Sequence, residues 1–239
     1  MSTNIITISG IEVAVTKKDI KNLHLSVLPP DGKVRVSAPD TMSDTAIRMA
    51  IVSRIPWIRQ QQRSFAEQPR QSEREMVTGE SHYLWGRRYR MEVLPTDGAT
   101  QIEHKGHKLK MYTKSDSSQK HRLEALNAWY RAQVKARVPD LLEHWQPIVG
   151  TAPLTWGVKK MKTKWGSCNI SSKRIWLNTE LAKKPPECLE YILVHELTHL
   201  LERHHNERFR SIMNKVMPNW KLHKETLNRS PLANDRWEY

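Results

Sequence analysis

Over residues 3–38 apolar and polar positions alternate with a period of two, the pattern of half-buried strands. NIITISG and IEVAVTKK flank a Ser-Gly turn. NLHLSVLP and KVRVSAP flank PPDG, whose Pro, Asp and Gly suit a turn. Val34 and Val36 alternate with Lys33 and Arg35. At Ser43 the period changes. That serine is placed to cap a helix at about 43–66, running through AIRMAIVSRIPWIRQQQ, which Pro56 kinks or restarts. Residues 67–78, EQPRQSEREMVT, are polar and read as a linker.

A second β stretch covers residues 80–113, with HYLWGRRYRMEVLP and KLKMYT. A helix over about 119–144 follows, with Leu123, Leu126, Trp129, Tyr130 and Val134 near helical spacing. No internal repeat is visible in the letters. LTWGVKKMKT reads as a strand, KWGSCNISS as a turn with Gly166 able to take positive φ, and KRIWLNTEL as a second strand. Pro185 and Pro186 then open a helix, where a missing N–H costs least. Leu189, Leu193, Leu197, Leu200 and Leu201 give that helix an apolar face.

At 239 residues the chain can bury a core without disulfides. The start, MSTNIITISG, lacks the basic and apolar regions of a signal peptide, and no run reaches the roughly 18 apolar residues of a membrane span. Cys168 and Cys188 form neither a disulfide framework nor a CxxC knuckle, so a cytoplasmic setting is expected. The net charge is +14, from 39 Lys+Arg against 25 Asp+Glu. That favours an anionic partner, nucleotide or nucleic acid, or is simply a basic soluble surface.

Candidate chemistry lies in VHELTHLLERHHNERF, residues 194–209. His195 and His199, four apart, share one helix face and can reach one Zn2+ ion. Glu196 lies beside the first histidine, placed to take a proton from a metal-bound water. A catalytic zinc needs a third protein ligand and an open position. On a continuous helix His205 would lie about 120° off the face and His204 about 140° off in the other direction. Either can bind only if the chain leaves the helix near Glu202–Arg203. The spacing HExxH-x5-H favours His205, with His204 the runner-up; zincins often place Gly where Glu202 stands.

Asn178, on the strand before this helix, is a candidate for pairing with an extended substrate, or a strand-end Asn. Trp165, Trp176 and Trp220 are candidate cleft walls, and Cys168 a packed thiol. Phe209, Ile212, Met213 and Val216 follow core spacing. Between Trp156 and Thr179 lie Lys159, Lys160, Lys162, Lys164, Lys173 and Arg174 without an acid, either phosphate-holding charges near the cleft or aggregation guards on strand edges. Arg208, His204 and His223 are candidate oxyanion groups.

The block KWGSCNISSKRIWLNTELAKKPPECLEYILVHELTHLLERHHNERF resembles the YgjP-like metallopeptidase family, relatives of the SprT-like and other minimal zincins. The matching positions are Trp165, Gly166, Ser167, Cys168, Asn178, His195, Glu196, His199, His205 and Phe209. PPDGKVRVSAP, PWIRQQQ and GESHYLWGRRYRMEV extend a looser similarity over nearly the whole chain. Thr198 and Arg210 depart from the usual residues. The resemblance implies a small zinc-dependent peptidase with His195, His199 and His205 as ligands and Glu196 as general base. Metal-dependent nucleotide hydrolysis has also been proposed within the family.

The expectation is therefore an α+β fold. A β-rich part with helices fills 1–115, and a minimal zincin module, a short sheet with an HExxH helix, fills 116–239, the two packed as one unit. The expected function is zinc-dependent cleavage of peptide or protein substrates. Asn178, Trp165, Lys164 and Arg208 would be substrate-binding. The alternatives are a metal-dependent nucleoside triphosphate pyrophosphohydrolase and a basic nucleic-acid-associated adaptor with a structural zinc site. Three evident ligands rather than four favour catalysis.

Overall fold

The computed structural model describes residues 3–28, 31–67, 75–161 and 164–229. They form an α+β protein of three sheets and six α-helices. Two compact units divide at 72/73, not at 115/116. The sheet at 81–113 thus shares a unit with the residues that follow it, because its buried Leu84, Met91, Leu109 and Met111 belong to the same core as the later helices.

In the first unit, β1 (Thr3–Ile8) and β2 (Ile11–Lys18) form a hairpin closed by Ser9 and Gly10, both at positive φ, as a two-residue primed turn requires. β3 (His24–Leu28) and β4 (Lys33–Pro39) form another. Pro29 and Pro30 of the expected PPDG turn lie outside the described residues, as does most of the expected linker. β2 and β4 run parallel, giving the order β1-β2-β4-β3. The Ser43 hydroxyl caps α1 (Asp44–Val52), accepting from the Ala46 N–H at 3.2 Å. Pro56 begins a new helix, α2 (Ile55–Glu67), rather than kinking one. Ile47, Ile51 and Ile58 bury against Val13, Val15, Val34 and Val36.

The second unit opens with the same plan. β5 (Ser81–Leu84) and β6 (Arg87–Pro95) form a hairpin around Trp85 and Gly86, at φ 49° and 78° against 49° and 77° for Ser9 and Gly10. β7 (Gln101–Lys105) and β8 (Lys108–Thr113) pair, β6 and β8 run parallel, and the order is β5-β6-β8-β7. A serine-capped helix follows again: Ser118 accepts from the His121 N–H at 3.2 Å. The chain therefore does hold an internal repeat, two hairpins and a capped helix. It escapes the letters because only turn and burial positions are shared.

α3 (Gln119–Val149) runs five residues past its expected end, to an αL cap at Gly150. It buries Leu126, Tyr130, Val134, Val138, Leu142, Trp145 and Val149; Leu123, expected on that face, is exposed. Next come β9 (Thr155–Lys159), β10 (Gly166–Asn169) and β11 (Arg174–Asn178). β10 pairs antiparallel and β9 parallel with β11, leaving β10 at an edge. The expected KWGSCNISS turn is thus partly strand. Gly166 is not among the positive-φ residues; Lys173, at φ 42°, makes the reversal instead.

A 3-10 turn (Thr179–Lys183) leads into α4 (Pro186–His199). Its entry is fixed by the β5–β6 turn: the Trp85 N–H donates to the Ala182 carbonyl at 2.7 Å, and a Cβ on Gly86 would lie 3.0 Å from the Pro185 ring. α4 is buried almost all round. α5 (Glu207–Val216) and α6 (Trp220–Arg229) close the unit. No helix among the described residues is long and apolar enough to cross a membrane.

Candidate metal centre

α4 stops at His199, so the chain leaves the helix earlier than Glu202–Arg203. Leu200 caps it, and Leu201, expected in the core, is exposed. The turn needs no glycine: Glu202 is absent from the positive-φ residues. Instead its carboxylate accepts from the His204 N–H at 3.1 Å and faces Arg208 at 3.9 Å, while its carbonyl accepts from His199 Nδ1 at 3.1 Å. The bond from the His204 backbone holds this carboxyl below the usual range. Asn206 caps α5 through the Phe209 N–H.

This turn swings His205 back. Donor atoms of His195, His199 and His205 all lie within 4.8 Å of one another, and Nε2 of His205 is 3.0 Å from Nε2 of His195. His204 is exposed and outside the group. Phe209 is more than core: its ring centroid lies 5.0, 4.8 and 4.8 Å from those of His195, His199 and His205. Tyr191 meets His195 edge-on at 5.8 Å and stacks on Trp220.

The donor set fits a metal ion. Burial first, then repulsion from His199 and His205, pulls His195 down to about 3, and burial also lowers His205. Two neutral imidazoles thus face each other through Nε2, a contact that a shared cation relieves. The Glu202 carbonyl fixes the His199 proton on Nδ1 and leaves Nε2 as donor, the support that metal-binding histidines ordinarily have. His195 Nδ1 is buried without a hydrogen-bond partner among the described residues. No fourth His, Cys, Asp or Glu joins the group among those residues, which suits a site with an open position.

Glu196 is 5% exposed and lies against β10. A Cβ on Gly166 would come within 2.6 Å of its Oε1, so Gly166 is required by close approach and not by its φ. Burial pushes the Glu196 carboxyl up to about 8, against the pull of Lys164. Together these groups line a cleft of about 1020 Å³, with Lys164–Ser171 on one side and Lys224, Leu227 and Asn228 of α6 among the other lining residues.

The other sequence candidates separate. Trp165 and Lys164 line the cleft. Trp176 instead covers Gly157 and Lys159, and Trp220 backs Tyr191. Asn178 is 4% exposed on the central strand β11, away from the cleft lining. Its amide donates to the Met161 and Lys164 carbonyls and its carbonyl accepts from the Met161 and Glu180 N–H groups. It is therefore a clamp for the approach to β10, and the sheet edge at the cleft belongs to β10. Cys168 lines the cleft with its thiol pushed up to about 11 by burial. Arg208 pairs with Glu202, and neither Arg208, His204 nor His223 lines the cleft. Of the six cations, Lys162 lies outside the described residues, and of the rest only Lys164 lines the cleft. Glu202 and Tyr191 were missed as site residues, and only their spacing to the histidines could have marked them, whereas Phe209, a family position read as core, meets all three imidazoles.

No curated protein matches the chain. Among solved structures, the crystal structure of the metallopeptidase zymogen of Pyrococcus abyssi abylysin is similar at 29% identity, over 38% of this chain and 90% of that one, with a TM-score of 0.35. The YgjP-like metallopeptidase domain matches residues 21–230. On that match the chain belongs to the YgjP-like metallopeptidase family.

Proposed function

We propose that the protein is a zinc-dependent peptidase in which His195, His199 and His205 hold the ion and Glu196 is the general base. The observation that carries this reading is the convergence of three imidazoles, with no fourth protein donor among the described residues, beside a buried carboxylate. Zinc held there supplies a Lewis acid for the substrate carbonyl and a lowered pKa for water. The protein's own residues do the rest. Glu196 takes the proton of the attacking water at its carboxylate. Glu196 then passes that proton to the leaving nitrogen. The backbone of β10 offers an unpaired edge on which an extended peptide can be laid and oriented. Two free cysteines suit a cytoplasmic enzyme. Of the six cations on which the phosphohydrolase reading rests, Lys162 lies outside the described residues and of the others only Lys164 lines the cleft, and no observation favours that reading over peptide cleavage.

Purified protein should carry about one zinc per chain. Chelation should abolish peptide hydrolysis, and added zinc should restore it. Hydrolysis that survives complete metal removal would overturn the assignment. Gly166→Ala supplies a second check. Its Cβ would force Glu196 Oε1, Glu196 Cγ or Ile192 Cγ2 to move. Zinc content should be unchanged while kcat falls by about tenfold to 10²-fold, the range that displaced catalytic groups cost. An unchanged kcat would mean the contact does not position the base.

A further inference from the structure

The side chains that rim the cleft differ in sign from those that fill its floor. Lys164, Arg203 and Lys224 line it and are exposed. The acids that line it are Glu196 and Glu202. Glu196 is buried against Gly166, and the Glu202 carboxylate is tied to the His204 N–H and Arg208. What faces water across the cleft is therefore cationic.

The three cations come from three elements: Lys164 two residues ahead of the edge strand β10, Arg203 from the turn between α4 and α5, and Lys224 from α6. Lys224 lies 6.0 Å over the ring of Trp220, which stacks on Tyr191 of the cleft lining. A strand edge with unpaired N–H and C=O groups recognises a peptide main chain, which a nucleic acid does not offer. Cations beside such an edge select among peptides by charge.

We propose that the cleft selects acidic peptide segments: a substrate strand lies along β10 while Lys164, Arg203 and Lys224 meet Asp or Glu side chains on both sides of the bond to be cut. This rests on the peptidase reading for the cut, but not for the binding.

The test separates the two. Metal-loaded Glu196→Gln protein is titrated, by fluorescence anisotropy, against dye-labelled octapeptides carrying Asp and Glu around a central Ala-Leu and against their Asn and Gln counterparts. The acidic peptides should bind about tenfold more tightly at low salt, and the difference should shrink as salt screens exposed charges. Added Lys164→Gln or Lys224→Gln should each remove about threefold of the preference, and Lys164→Arg or Lys224→Arg should keep it. These side chains are exposed, and thermal unfolding checks that the fold is kept.

Equal affinity for both peptide sets overturns the proposal, as does a preference that survives when Lys164, Arg203 and Lys224 are all changed to Gln. Single-stranded DNA that binds more tightly than the acidic peptides, displaces them, and loses affinity with the same lysines would also overturn it, giving the cations to nucleic acid. Wild-type turnover completes the test. Preferential binding of acidic peptides without cleavage of any peptide sinks the peptidase reading alone. Cleavage of both sets with equal kcat/KM and equal affinity sinks the acidic selectivity alone.

Discussion

Glu196→Gln is expected to keep its zinc and to lose peptide hydrolysis by about 10²-fold or more, the scale of a lost general base. The substitution is close to isosteric, so the packing against Gly166 and Ile192 is preserved. It removes only the ability to accept a proton. Glu196 follows His195 on α4, yet the donor group comprises the three histidines without it. Its carboxyl turns toward β10, where a Cβ on Gly166 would meet it, which is why a ligand role is not expected. Metal content by mass spectrometry and turnover of a quenched peptide should therefore separate in this variant. Loss of zinc would make Glu196 a ligand, and retained turnover would remove it from the mechanism. Burial pushes the Glu196 carboxyl up to about 8, so at neutral pH and without metal the wild type carries little charge there and the variant should match its stability; a gain for the variant is expected only above about pH 8.

Local features of this fold were legible in the sequence because their causes are local. Ser43 caps α1, Ser9 and Gly10 close a hairpin, and Pro186 sits in the first turn of α4, each through chemistry confined to a few residues. The HExxH spacing brings His195 and His199 together for the same reason. Features that depend on what meets what across the chain were not legible. The parallel pairings β2–β4 and β6–β8 create the repeated unit, and nothing in the letters declares a parallel register. Gly166 reads as a turn glycine until a Cβ placed on it is found to fall 2.6 Å from Glu196 Oε1. Asn178 reads as a cleft residue until β10 is seen to lie between it and the sheet edge. The run of lysines reads as one patch until β9 and β10 are placed on opposite sides of β11, so that Lys159 covers Trp176 while Lys164 reaches the cleft. The Lys224 that joins it there is sixty residues further along the chain, beyond any pattern window.

His205→Ala should empty the site, whereas His204→Ala should keep most of its zinc. The two side chains are adjacent in sequence and opposite in setting. The early end of α4 at His199 gives the chain six residues, 200–205, in which to turn before Asn206 caps α5. Glu202 organises that turn from both ends, its carbonyl on His199 Nδ1 and its carboxylate on the His204 N–H. The bond to His204 is made by the backbone, so Ala at 204 retains it, and the turn that presents His205 should survive. Ala at 205 instead leaves two imidazoles and Phe209 around the ion, one protein ligand short of the three that hold a catalytic zinc. Zinc stoichiometry after dialysis, with competition by a chromogenic chelator, measures both variants. His205→Ala should retain well under one equivalent and show no zinc-dependent turnover. His204→Ala should stay near one equivalent, with affinity within about tenfold of wild type, the lower end of what a disturbed supporting contact costs. The opposite ranking would assign the third ligand to His204, and with it a turn different from the one that Glu202 and Asn206 hold here.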